Sequence, residues 1–407
     1  VAKRRKAQVI GILTAGGDCP GLNAAIRGIA KAAMGEHGMR VIGIHDGFRG
    51  LIENRTFAVD DRAVSGILTD GGTILGTSRD KPHKMPMGNR VMDMTSVAVE
   101  NARRLGIDCL VCLGGGGTQK NALHLLKHGG LNVLTLPKTI DNDVWGTDTS
   151  FGFDTAMNIA TEAIDRLHTT ATSHNRMIVV EVMGHKAGWL ALGAGVAGGA
   201  DVILVPELPY DLHLVAEHLR ERKRAGKRFS IIAVAEAARA QGDEAVVHNG
   251  ADDDRAAGKG GAKKRESRRQ VERDAAVEEG QDAGGEGELL PFRLVQESVA
   301  SRLARQLQHM TGTEARVTSL GHVQRGGIPT PTDRLLCTRL GVTAARFLAE
   351  GTFNVMVAVR GNDCVPVPLE EVAGRINTVP EDHPWIAVAR EVGTCMGDRA
   401  LRSRVVA

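Results

Sequence analysis

The sequence predicts an α/β fold, with two doubly wound Rossmann-like lobes and an active site in the cleft between them. Three observations predict it. Short apolar runs, each the length of a buried strand, recur at residues 9–13, 109–113, 177–182 and 231–234. Segments with apolar residues at helical spacing lie between them, as at 158–167. Glycine-rich or acid-bearing turns follow the runs, and in open α/β sheets ligands bind at the carboxyl ends of the strands.

Composition bounds the reading. The 407 residues, 42% hydrophobic and 24% charged, are those of an ordinary globular protein with length for two or three domains. A formal charge of +3 and an aromatic content of 3% leave no basic stripe interleaved with aromatics, so no nucleic acid partner is expected. No run reaches the roughly eighteen apolar residues of a membrane span. The opening Lys3-Arg4-Arg5-Lys6 precedes an apolar run too short for a signal peptide, so a cytoplasmic protein is expected. The six cysteines lack metal-ligand spacing and read as reduced thiols. Cys109 and Cys112 match C-x-x-C, but they fall inside a strand rather than at an exposed helix start, which argues against a redox role.

In chain order, the first strand runs into Gly16-Gly17-Asp18-Cys19-Pro20-Gly21 and a helix from Leu22. Such a turn lets backbone amides and the positive helix end approach phosphate closely. Its spacing is not the dinucleotide G-x-G-x-x-G. A second strand at 41–44 leads to Asp46-Gly47-Phe48, where Phe48 either packs the turn or flanks a ligand. The glycine-rich stretch from Gly71 ends at Arg79-Asp80, and arginine suits phosphate through its permanent charge and forked donors. After the strand at 109–113 come Gly114-Gly115-Gly116-Gly117-Thr118, whose lack of Cβ atoms lets backbone approach a polyphosphate.

The strand at 131–136 is stopped by Pro137 and delivers Lys138-Thr139-Ile140-Asp141-Asn142-Asp143. Two carboxylates, a hydroxyl and an ammonium at one strand end suit phosphoryl chemistry. The same residues also read as an Asn/Asp turn bonded to nearby amides. Further on, the strand at 177–182 presents Met183-Gly184-His185, and the strand at 231–234 presents Glu236. From about 238 to 290 the composition turns mixed-charge and poor in apolar residues, as expected of a disordered surface insertion, with a helical piece near Gln270. A helical stripe from Leu294 and Val295 to Met310 follows, then a strand at 315–320 and Gly321-His322-Val323-Gln324-Arg325-Gly326-Gly327. A last strand at 353–359 and a charged tail carry only packing signals.

Lys138 to Asp143, with Gly146-Thr147-Asp148 and Phe151-Gly152-Phe153-Asp154-Thr155-Ala156, resembles the signature of the 6-phosphofructokinase family. The turn from Gly16, Glu181-Val182-Met183-Gly184 and the block from Leu320 to Gly327 agree in order. This resemblance covers about residues 9–350. It implies transfer of phosphate from ATP to the 1-hydroxyl of fructose 6-phosphate. Asp141 would be the base, Thr139 would position the sugar, and Arg79 and Lys138 would stabilise the transferring group. It further implies donor contacts from Gly17, Phe48, Arg79, Asp80, Gly115, Gly116, Gly117 and Thr118. Sugar-phosphate contacts would come from Arg176, Met183, Gly184, His185, Glu236, Arg316, His322 and Arg325. Residues 1–150 would form the donor lobe and 151–350 the sugar-phosphate lobe, with 351–407 packing on both. A homotetramer or homodimer is implied as well, with Arg176 and Arg316 reaching a neighbouring subunit's substrate.

The chain departs from the family pattern at three places. Gly116 stands where an aspartate usually helps hold Mg²⁺, leaving Asp143 as the nearby acid; Mg²⁺ often binds through phosphates, waters and only one or two carboxylates. His185 replaces a usual arginine, and His168 stands where allosteric bacterial members carry one. Gly117 leaves room for the α-phosphate of ATP, whereas Lys138 is common in users of pyrophosphate. ATP is therefore the expected donor, with pyrophosphate and a weakly catalytic regulatory subunit as the alternatives.

Overall fold

The structure is a computed structural model that describes residues 6–242 and 297–399. The expected insertion lies outside the described residues from 243 onward, as do Gln270, Leu294 and Val295.

The strands are β1 (Val9–Thr14), β2 (Arg40–Ile44), β3 (Thr56–Val59), β4 (Met85–Met87), β5 (Arg90–Met92), β6 (Cys109–Gly114) and β7 (Val133–Pro137). They continue with β8 (Met177–Val182), β9 (Val202–Leu204), β10 (Ser230–Ala235), β11 (Ala315–Ser319), β12 (Val355–Arg360) and β13 (Asp363–Pro368). The helices are α1 (Leu22–Gly35), α2 (Gly47–Ile52), α3 (Thr95–Arg104), α4 (Gly116–Gly129), α5 (Phe153–His174) and α6 (Trp189–Ala197). After them come α7 (Leu212–Arg224), α8 (Val299–Thr311), α9 (Pro331–Glu350), α10 (Leu369–Val372) and α11 (Pro384–Glu391).

Two sheets organise the chain. The larger has the order β13-β12-β7-β6-β1-β2-β3, with its inner pairs parallel and its outer pairs, β12–β13 and β2–β3, antiparallel. The smaller, β11-β8-β10-β9, is parallel throughout. Parallel strands need crossovers, and the helices that supply them cover both sheet faces. That is why β6 is buried along its whole length and reads as a continuous apolar run. Cys109 and Cys112, three residues apart on β6, point to opposite faces and enter different core clusters, so the C-x-x-C match cannot close on itself.

Residues beyond 350 enter the larger sheet as β12 and β13, next to β7. Helix α9 packs on α1, and Gly341 allows the approach: a Cβ there would lie 2.7 Å from Ile29 N. Thr330 caps α9 by accepting from Asp333 N at 3.3 Å, with Pro331 in the first turn. Among the described residues, no helix is long and apolar enough to cross a membrane.

Candidate active site

The turns after β1, β6 and β7 leave neighbouring parallel strands of the larger sheet, so they lie side by side at one edge. The turns after β8, β10 and β11 leave the matching edge of the smaller sheet. The two sets meet. His185 Nδ1 lies 3.4 Å from Asp143 Oδ2, and the Arg325 guanidinium sits against Gly17, leaving no space there for a Cβ.

The turn after β6 is bare. Gly115 is the cap of α4, and Gly116 and Gly117 are its first helical residues. No atom lies within 4 Å of where a Cβ on either would stand, so first-turn amides and the positive helix end face open space. Thr118 is buried, and its hydroxyl donates to Ala15 O at 3.3 Å, tying this turn to the one after β1. Gly16 N donates to Ser78 O at 2.9 Å and brings the exposed Arg79 alongside. Asp80 accepts from Arg49 Nε at 2.6 Å. Phe48 requires a correction. It is 0% exposed, folded by α2 into a core cluster with Leu13, Ile44 and Leu110, so it packs the turn and offers no face to a ligand.

The loop after β7 is dense. Lys138 is buried, its ammonium donates to the Gly17 carbonyl, and burial lowers its pKa. Asp141 N donates to Thr139 Oγ1 at 3.1 Å, and that hydroxyl donates to Asp141 Oδ2 at 3.2 Å. Asp141 Oδ1 is buried without a hydrogen-bond partner. Burial first, and the neighbouring Asp143 second, push the Asp141 carboxyl up to about 6. Asn142 adopts φ 54°, in the left-handed region, and its Oδ1 accepts from Ser150 N at 2.9 Å. Ser150 Oγ donates to Thr139 O at 2.8 Å and closes the loop.

On the opposing edge, the amides of Gly184 and His185 donate to Glu236 Oε1 at 3.2 and 2.7 Å. The hydrogen bond to Asp143 raises the pKa of His185. Met183 N donates to Gln324 Oε1 at 2.9 Å, fixing the turn after β8 to the segment Gly321–Arg325 that carries the exposed His322. Two arginines are elsewhere. Arg176 precedes β8 and Arg316 is the second residue of β11, so both lie toward the amino edge of the smaller sheet, about 20 Å and about 10 Å of strand from its carboxyl edge. Both pair with Glu314, Arg176 Nε at 2.7 Å. His168 has a ring nitrogen 2.7 Å from Gly198 O.

Two supporting residues escaped the sequence reading. Fully buried Asp333 accepts from Gly152 N and Thr155 N, each at 2.9 Å, and so pins the start of α5 to α9. Gln324 is the other. Its amide was masked by the charged neighbours His322 and Arg325. Among the described residues, no group of three or more His, Cys, Asp or Glu is placed to hold a metal.

A bare glycine turn and a buried carboxylate at adjacent strand ends of one doubly wound lobe, facing the strand-end turns of a second lobe, suit a phosphotransferase. The comparisons narrow the class. Residues 9–348 match the family model described as phosphofructokinase. The chain is 54% identical over 389 residues to an ATP-dependent 6-phosphofructokinase of Propionibacterium freudenreichii subsp. shermanii, covering 96% of this chain and 99% of that one. It is 49% identical to an ATP-dependent 6-phosphofructokinase of Spirochaeta thermophila, covering 97% and 99%. Among solved structures, Pichia pastoris phosphofructokinase aligns with a TM-score of 0.70 at 29% identity, over 90% of this chain and 35% of its own longer chain. A pyrophosphate-dependent phosphofructokinase of Nitrosospira multiformis aligns with a TM-score of 0.71 at 19% identity, over 92% and 86%, and shares the fold. The chain belongs to the phosphofructokinase family.

Proposed function

We propose that this protein transfers the γ-phosphoryl group of ATP to the 1-hydroxyl of fructose 6-phosphate, giving fructose 1,6-bisphosphate in glycolysis. The observation that carries the reading is Asp141 Oδ1, a carboxylate oxygen buried in the cleft with no partner. A base needs a free acceptor and a pKa near the working pH, and Asp141 has both. It takes the hydroxyl proton as the sugar oxygen attacks phosphorus and ADP leaves, while Thr139 holds its other oxygen. The family assigns Arg325 to the sugar phosphate; its position against Gly17 and beside Lys138 suits the transferring group instead. With Arg79, these cations stabilise the charge that spreads over that group, since phosphoryl transfer rests on positioning and electrostatics.

The open space over Gly116, with Asp143 left as the carboxylate not assigned as base, fits a Mg²⁺ held through donor phosphates, waters and one carboxylate. That ion would neutralise charge on the bridging phosphate oxygens. Gly117 adds no side chain in the path of the α-phosphate, which supports ATP over pyrophosphate. The relatives at 54% and 49% identity, both named for ATP, support the same donor. The distance of Arg176 and Arg316 from their own cleft supports a role at a second copy's substrate, in a homodimer or homotetramer. A coupled assay of fructose 1,6-bisphosphate formation, with Mg²⁺ and each donor separately, tests the reading. Turnover with ATP is expected, and its absence with ATP would reject the proposal.

A further inference from the structure

The segment after β13 looks bland in sequence, yet it touches the catalytic loop at three points and the opposite lobe at two. Ile376 forms an antiparallel bridge with Val144. Asn377 N donates to Asp143 O at 2.9 Å, and Asn377 Nδ2 donates to Asn142 O at 2.9 Å. Asn377 O in turn accepts from Trp189 Nε1 at 3.0 Å, at the start of α6 in the opposite lobe. Two residues on, Val379 N donates to Glu207 Oε1 at 2.9 Å, and the same carboxylate accepts from Gly188 N. One short strap thus joins the loop after β7 to the lobe of the smaller sheet.

We infer that Asn377 is a positioning residue for phosphoryl transfer, setting the backbone of Asn142 and Asp143 so that Asp141 faces the cleft. The physical need is specific. Asn142 sits in the left-handed region, which asparagine tolerates better than other side chains but which local bonds must still hold in one setting. Ser150 holds the Asn142 side chain from within the loop. Asn377 is the group that holds its carbonyl from outside, and its backbone amide holds the next carbonyl in the chain. Between them these bonds fix the two peptide planes that follow the left-handed residue, 142–143 and 143–144. Asp141 is one residue upstream, so a relaxed turn swings its carboxylate. Because Asn377 is also tied to Trp189, the loop is registered against the lobe that presents Glu236 and His185 rather than against its own sheet alone. The segment's sequence hides this role because both acceptors are backbone carbonyls, which leave no side-chain pattern to read.

The inference rests on the assignment of Asp141 as base, and a double-mutant cycle separates the two. Asn377→Ala removes the side-chain donor and keeps the backbone bond. We expect kcat with ATP to fall at least about tenfold, within the roughly hundredfold that a 1 Å misplacement can cost. KM for both substrates should stay within about twofold. Asn377→Asp keeps the size but loses the donor, and it should fall as far. It also serves if the alanine variant folds poorly, with thermal melting as the check. In the Asp141→Asn background, Asn377→Ala should cost nothing further, because the group it positions is gone. A kcat within about twofold of the parent in both Asn377 variants overturns the inference. So does an equal fold-loss in the Asp141→Asn background, which would mark a role in general stability. Near-parent turnover in Asp141→Asn alone would instead reject the base assignment, and the positioning role with it.

Discussion

The turn after β6 and the loop after β7 leave adjacent strands, yet they are built in opposite ways. Gly115, Gly116 and Gly117 offer amides, a helix end and empty space. Lys138 to Asp143 offer a buried ammonium, a hydroxyl and two carboxylates, packed so closely that one carboxyl is driven up to about 6. The difference separates two tasks. A polyphosphate is recognised by shape and by oriented dipoles, which tolerate any donor that fits. Proton transfer needs a charge held in an unfavourable place, which tolerates almost no change. Substitutions at the first site should therefore alter which donor is used, and substitutions at the second should alter turnover with every donor.

The largest effect is expected at the dense loop. Asp141→Asn should lower kcat by at least roughly a hundredfold, the scale of losing a general base, while the KM for fructose 6-phosphate changes little. Steady-state kinetics on the purified variant checks it; near-normal turnover would remove the distinction between the two regions.

Next in size is the sugar-phosphate end. On its proposed role at a neighbouring copy's sugar phosphate, Arg316→Ala removes a charge-assisted contact of about 1.5–3 kcal/mol, so the KM for fructose 6-phosphate should rise about tenfold or more with kcat nearly kept. If Arg316 serves a neighbouring copy, mixing this variant with Asp141→Asn subunits should restore some sites of normal KM. Failure of such mixtures to recover activity would count against shared sites.

The pH dependence is subtler. Asp141 must be ionised to act, so kcat should rise with pH and level off above about 6. The same shift bears on stability. The folded value, about 6, lies above the ordinary 3.8, so the fold favours the neutral acid, and its ionisation at higher pH is a cost. Asp141→Asn should therefore melt roughly 1–3 °C higher than the parent at pH 8, and the gain should vanish toward pH 4. Thermal melts at the two pH values test this, and a variant that melts lower at pH 8 would deny the desolvation argument.

What the sequence disclosed follows from how local each signal is. The strand-end turns were visible because each strand, its stop and the turn chemistry are contiguous, as at Pro137 and Lys138. Family resemblance then supplied roles for residues such as Glu236 that no pattern in the chain would have distinguished from an ordinary strand-end acid. Phe48 was misread because a turn aromatic gives no sign of which way it faces, and only the packing of α2 decides that. Arg176 and Arg316 were assigned to a neighbouring subunit's substrate by resemblance alone, because nothing local in the sequence shows that the parallel register puts them at the amino ends of their strands. Asp333 and Asn377 were invisible for another reason. Their partners lie 178 to 235 residues away and are mostly backbone groups, so nothing in the sequence marks the pairing.

The division of labour between the two turns is tested most directly by measuring kcat/KM with ATP and with pyrophosphate in the parent and in Gly117→Asp. No protein atom lies within 4 Å of where a Cβ at Gly117 would stand, so the variant should fold with its carboxylate in the nucleotide's path. Like-charge juxtaposition costs several kcal/mol, which is more than tenfold in rate at about 1.4 kcal/mol per decade. The parent should prefer ATP, and the variant should lose ATP use by well over tenfold while its use of pyrophosphate hardly changes. A parent that prefers pyrophosphate despite Gly117, or a variant that loses both donors alike, would contradict the account.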